Sequence, residues 1–330
     1  MATDIVLAIG TSHSPLLNSP AEDYPKHAAI DASRRKLLDK QGHPTTYGAL
    51  LEKSDPSIKD QIAPKVLEER SARCTANIEK LSQILADTHL DSLIIIGDDQ
   101  HEQFLDDNMP AILVYWGETI ENNPLHMEED APEFWRKARA QFHETAQPRQ
   151  YPVDAELGLH LIEQLVEQGF DVSQSKRLAR ERGEGHAFGF VHRRLMSNHV
   201  VPIVPVALNT YFPPNQPRPR RCYELGKAIR AAVCASKGGT RVGILASGGL
   251  SHFTVDEELD RGLLDACKRN DGEALSSIPV EKLNSGSSEI RNWITVAGAA
   301  SHLKVEWQEY IPCYRSAAGT GCGMGFSVWR

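Results

Sequence analysis

Three short apolar runs, each stopping at a polar turn that carries a histidine, constrain this chain more than any other feature. Residues 5–9 lead into Gly10-Thr11-Ser12-His13-Ser14-Pro15. Residues 92–96 lead into Gly97-Asp98-Asp99-Gln100-His101-Glu102, and residues 242–245 into Ser247-Gly248-Gly249-Leu250-Ser251-His252. A short apolar run bounded by Gly or Ser reads as a buried strand, and in open α/β sheets ligands collect outside the carboxyl ends of such strands. Histidines at those ends point to a metal or acid/base site.

The segments between the runs carry helical periodicity. Helices are expected over 63–87, 154–168, 220–235, 256–268 and 288–303. In the second of these, Leu157, Leu161, Ile162, Leu165 and Val166 repeat at helical spacing. Further strands are expected over 111–115 and 200–208, and a glycine-rich segment, 317–329, closes the chain. Strands alternating with helices, with no break in composition, predict an α/β fold: one large domain, 1–330, with a central mixed sheet flanked by helices. Residues 18–57 interrupt the pattern with Pro20, Pro25, Pro44 and Pro56. An excursion of that length is usually functional, and it is expected to cover the active site.

With 330 residues, 41% of them hydrophobic, the chain can bury a large core. Its formal net charge of −8 disfavours nucleic acid or an anionic membrane as partner. No apolar run approaches the roughly 20 residues of a spanning helix, and a signal-peptide pattern is missing, so a cytoplasmic location is expected. The six cysteines form no CxxC pair and are expected to be reduced thiols, mostly buried.

Most of the thirteen histidines need no functional role. His27, His89, His126, His143, His199 and His302 read as surface or helix-end residues, His160 as a core histidine, and His192 as surface or as support to His186. His13, His101, His186 and His252 differ, because each sits in a Gly-, Ser- or Asp-rich turn beside an apolar segment. Imidazoles so placed supply metal ligands or proton-transfer groups. Two of them with one carboxylate would make the facial triad of non-haem Fe(II) oxygen chemistry. Glu257 and Glu258, just beyond His252, are the carboxylates within reach, and both also suit a solvated helix start.

These residues resemble the class III extradiol ring-cleavage dioxygenases, the superfamily of the protocatechuate 4,5-dioxygenase beta subunit. The resemblance is carried by Thr11-Ser12-His13-Ser14-Pro15, by Asp98-Asp99-Gln100-His101 with Met109-Pro110, and by Gly185-His186 with Phe188. It continues through Pro205-Val206-Ala207-Leu208-Asn209-Thr210-Tyr211-Phe212-Pro213-Pro214, Ser247-Gly248-Gly249-Leu250-Ser251-His252 and Tyr310-Ile311-Pro312. These blocks span nearly the whole chain outside 18–57. Gly97-Asp98-Asp99-Gln100 and the excursion look most like the branch acting on 3-O-methylgallate.

The resemblance implies an Fe(II) cofactor and a ring-opening reaction of a catecholic or gallate-type arene with O2. A small aromatic substrate, O2 and further copies of the chain are the expected partners. His13 falls on the first metal ligand and, without a gap, Glu258 on the glutamate ligand. His252 falls on the acid/base histidine and His186 on a supporting catalytic one. For the middle ligand the ungapped register gives Gln100, where the family has histidine; His101, one residue on, is preferred, and His43 from the excursion comes third. Two other classes stay open: a non-catalytic relative serving as a partner-binding module, and a zinc-assisted hydrolase built on the same histidines.

Overall fold

A computed structural model describes residues 3–34, 36–128, 130–197 and 199–330. Eight strands form the central sheet: β1 (Asp4–Thr11), β2 (Ser92–Asp98), β3 (Ile112–Tyr115), β4 (Ser173–Ser175), β5 (Ile203–Leu208), β6 (Arg241–Ser247), β7 (Val305–Tyr314) and β8 (Gly321–Trp329). Their order across the sheet is β7-β8-β1-β6-β2-β5-β3-β4. β1, β6, β2 and β5 run parallel, while β8 pairs antiparallel with β1 and β7, and β3 antiparallel with β5. The fold is α/β, with the mixed sheet predicted.

Both faces of the parallel strands are covered, which is why they read as continuous apolar runs. On β2, Leu93 and Ile95 join the core on one side with Leu81 and Leu85 of helix α2 (Pro64–Thr88). Ile94 and Ile96 join the other core with Leu225 and Ile229 of α6 (Pro219–Ala235) and Trp293 of α8 (Ile290–Ala299). α6 and α8 meet backbone to backbone: a Cβ on Gly226 would lie 1.9 Å from the Thr295 carbonyl oxygen, and one on Gly298 2.2 Å from that of Tyr223. That close approach seats α8 tightly against the sheet and fixes the position of the residue just ahead of it, Glu289.

The excursion holds helix α1 (Tyr24–Ser33), a small strand pair (Leu37–Leu38 with Pro44–Thr45) and a helix at Tyr47–Lys53. The chain also holds helices α3 (Glu133–Arg139), α4 (Ala155–Glu167), α5 (His186–Phe190) and α7 (Glu257–Arg269). Among the described residues no helix is long and apolar enough to cross a membrane.

The register sets the carboxyl ends of the parallel strands along one edge, with Thr11 opposite Ser247, Ala246 opposite Ile96, and Asp98 opposite Leu208. The three strand-end turns singled out in the sequence therefore open on the same side of the sheet.

Candidate active site

Beyond β1 the chain turns at Ser12, and His13 is buried at 3% exposure. Its Nδ1 lies 3.0 Å from Ser247 Oγ, and the Ser247 hydroxyl donates to the Ala187 carbonyl at 2.7 Å. A hydroxyl that donates there accepts from Nδ1–H, so His13 Nε2 is left without a proton. Burial holds this imidazole below its usual range, against the pull of Glu289. His13 Nε2 faces Glu289 Oε2 at 3.1 Å.

Glu289, 1% exposed, precedes α8 and is the hub of the site. Gly249 N–H donates to its Oε2 at 2.5 Å and the Gln100 amide to its Oε1 at 3.1 Å. His252 Nε2 lies 3.3 Å from that same Oε1. Burial works to raise the Glu289 carboxyl, but His252 and His13 overcome it and hold it well below the usual carboxylate range.

His186 begins α5. Its Nδ1 lies 2.8 Å from Glu102 Oε2, and its backbone N–H donates to Glu102 Oε1 at 3.0 Å. Burial opposes protonation of this imidazole, yet Glu102 raises it to about 9; against the same burial, His186 holds Glu102 at about 2. A carboxylate on Nδ1 fixes the ring so that Nε2 points the other way, as it does for metal-bound histidines. Nε2 faces Asp98 Oδ2 at 3.9 Å. Asp98, at the end of β2 and fully buried, is pushed up to about 8 by burial and by the nearby Glu289 charge.

His13, Asp98, His186 and Glu289 thus converge, with one potential ligand atom from each lying within 4.8 Å of all the others. The buried Nε2 atoms of His13 and His186 have no hydrogen-bond partner. Two orphaned imidazole nitrogens facing two carboxylates fit a divalent cation, since each nitrogen ligates only as the neutral imidazole. His252 stands beside the four. Its Nδ1 lies 2.8 Å from the Leu250 carbonyl, leaving Nε2 toward Glu289 and the cavity. Burial lowers its proton affinity, but Glu289 and Cys322 raise it well above the usual range. The cavity over the cluster measures about 430 Å³, and Trp135, Phe142, Tyr211 and Phe253 are among its walls.

The structure brings His13, His186, His252 and Gln100 together and leaves three expected residues out. His101 has a positive φ of 62° and stacks on Phe212 with ring centroids 3.7 Å apart. That backbone turn carries its ring away from the cluster while Gln100 points inward. His43 is 76% exposed and lies by Asp39. Glu258 is exposed on α7, whose buried face is formed by Asp260, Leu263, Leu264, Ala266 and Cys267. The carboxylates at the cluster are Glu289 and Asp98 instead. His192 and His27, read as surface or supporting residues, are buried: His192 lies against Glu184 at 2.8 Å, and His27 lines the cavity.

Glu102 and Tyr211 also line the cavity and fall outside the expected site residues, although both stand in the strand-end segments 97–102 and 205–214. The signal that marks Asp98, Glu102 and Tyr211 is a polar residue in a turn at the carboxyl edge. Glu289 gives only the signal of an acid at a helix start.

Gln100 and His101 make a direct comparison. His101→Ala is expected to leave metal affinity unchanged, whereas Gln100→Ala lowers it by roughly 10-fold, the scale of changes to groups that orient ligands. Equilibrium titration with Fe(II) or Co(II) reads both. A larger loss for His101→Ala would return that residue to the metal.

A family model described as the catalytic LigB subunit of aromatic ring-opening dioxygenase matches residues 43–325. The chain belongs to this family. Two curated relatives, from Cupriavidus necator and from Cupriavidus pinatubonensis, are each named 2,3-dihydroxyphenylpropionate/2,3-dihydroxicinnamic acid 1,2-dioxygenase. Each is 35% identical to the chain over 108 residues, or 33% of this chain. The match spans about a third of the relatives' own length, 33% and 32% respectively.

Proposed function

We propose that this protein is an Fe(II)-dependent extradiol dioxygenase that opens the ring of a catecholic or gallate-type arene and incorporates both atoms of O2. The observation that carries the reading is the buried group of His13, Asp98, His186 and Glu289 at the sheet's carboxyl edge, in a chain of the ring-opening dioxygenase family. Mixed imidazole and carboxylate donors suit non-haem Fe(II). The names of the relatives, which specify vicinal dihydroxy arenes, support the substrate class.

When bound, ferrous iron supplies charge to dioxygen and a template for both reactants. The protein's residues do the rest. His252, anchored through Nδ1, holds a proton at Nε2 as long as it faces the Glu289 charge; with that charge committed to a bound metal, Nε2 would be free to take the phenolic proton of the substrate and to return it to an oxygen atom as the ring opens. Glu289 orients both His13 and His252. Glu102 fixes the His186 ring. Tyr211, pushed up to about 12 by burial, keeps its phenolic proton and remains a hydrogen-bond donor beside the ring. Phe142 and Phe253 line the path of a planar substrate, and a cavity of this size fits a single-ring compound.

Protein reconstituted anaerobically with Fe(II) and mixed with a panel of catechols and gallates is expected to consume O2 and open the ring in equimolar amounts. Chelation abolishes both. Bound iron with no O2 uptake on any vicinal diol would overturn the reading.

A further inference from the structure

In the cavity that holds the cluster, the excursion and Arg315 build a cationic wall. Asp31 of α1 is fully buried and receives the Arg315 guanidinium in two hydrogen bonds, Nε to Oδ2 at 2.6 Å and a terminal nitrogen to Oδ1 at 2.7 Å. Arg34, at the end of α1, approaches the same carboxylate with Nε 3.4 Å from Oδ1. Its guanidinium lies over the Phe253 ring, 3.8 Å from the centroid, and the Arg315 guanidinium stands 5.9 Å from that ring. One carboxylate thus faces two guanidiniums. Arg34 Nε has no hydrogen-bond partner, and no acid other than Asp31 forms an ion pair with Arg34 among the described residues. Asp31, Arg34, Phe253 and Arg315 all line the cavity that holds the cluster.

This unbalanced positive charge stands out in a protein whose formal net charge is −8. The neighbouring His27 adds nothing to it, because burial, and then Arg315, push its imidazole down to about 4. A guanidinium placed over an aromatic ring and braced by a buried carboxylate is already in position to take a second carboxylate. Phe253 links this guanidinium to the chemistry: its ring lies 5.4 Å from the ring of His252 on one side and 3.8 Å from Arg34 on the other. Arg34, Phe253, His252 and Glu289 line one cavity of about 430 Å³, so a single-ring substrate with its hydroxyls toward the cluster would share that space with Arg34.

We propose that Arg34, braced by Asp31 and Phe253 and helped by Arg315, is the specificity residue that binds a carboxylate on the aromatic substrate. The assignment rests on the ring-opening reading and narrows it to acid-bearing vicinal diols. Asp31 and Arg34 come from the excursion, while Phe253 and Arg315, which complete the wall, come from the turns after Ser251 and Tyr314. Arg139, the other guanidinium in the cavity wall, is the competitor. Among the described residues it has neither an aromatic face nor a carboxylate within salt-bridge distance to hold it, so its ordering on binding would cost more.

The test is calorimetric and needs no turnover. Titrated into the full-length protein, 4-hydroxybenzoate is expected to bind roughly 10- to 100-fold more tightly than phenol, the scale of a charge-assisted contact. Arg34→Gln brings that ratio near unity, Arg34→Lys restores part of it, and Arg139→Gln leaves it intact. A wild-type protein without the preference, an Arg34→Gln protein that keeps it, or its loss in Arg139→Gln overturns the proposal. Because neither probe carries a vicinal diol, failure of ring opening shows separately, as absent O2 uptake with the iron-loaded protein.

Discussion

His252→Phe is expected to lower turnover by about 10² to 10⁴ while the protein retains its metal, because this residue is assigned to proton transfer. The geometry separates the two roles. His252 Nδ1 is committed to the Leu250 carbonyl, and Nε2 meets Glu289 at 3.3 Å beside the four converging residues. Phenylalanine keeps the ring volume between Gly249 and Gly286, where a Cβ on either glycine would fall within 2.8 Å of the imidazole. The cavity wall is therefore preserved while the proton acceptor is removed. Metal content by elemental analysis and turnover by O2 consumption are measured on the same preparation. Equal loss of metal and turnover would make His252 a ligand and would place proton transfer on another group, with Tyr211 the nearest phenol in the cavity wall.

The strands that meet at the site are legible in the sequence because they are buried on both faces. Continuous apolar runs such as those in β1, β2 and β6 have few other readings, and the turn after each reports where a ligand would lie. β7 and β8 are not legible in that way. β8 contains Gly321, Gly323 and Gly325 because neighbouring groups press on its backbone: a Cβ on Gly323 would meet the Asp260 carboxylate at 2.0 Å, and one on Gly325 would meet Leu250 at 2.7 Å. Such crowding is tertiary, and it removes the β-branched side chains by which strands are recognised. β7 is mostly half-exposed and mixes Glu306, Gln308 and Glu309 with its apolar residues. Within the site, His13 and His252 are legible from their turns. His101 is misplaced by one residue because a single positive φ reverses which of two neighbours faces inward, and nothing in Gln100-His101-Glu102 announces that turn.

The carboxylate assignment gives the second large effect. Glu289→Gln is expected to weaken metal binding by more than the roughly 10- to 100-fold that changes to orienting groups cause, while Glu258→Ala leaves it unchanged. Glutamine keeps the shape and retains an oxygen to accept from Gly249 N–H, so the substitution removes the charge and leaves the fold standing. Glu258 follows His252 closely in sequence. After Ser251, however, the chain turns into α7 with Asp260 buried against Ser251 and Tyr310, and that orientation leaves Glu258 to solvent. Glu289 arrives later along the chain because α8 packs its backbone against α6 and its Trp293 indole donates to the Gly248 carbonyl at 2.8 Å. The helix start is thereby pinned under the same glycine turn that delivers His252. Titration of each variant with Fe(II) under anaerobic conditions, with thermal unfolding as the control for folding, distinguishes the two. Wild-type affinity in Glu289→Gln together with a loss in Glu258→Ala would restore the ungapped register and require α7 to rotate toward the cavity.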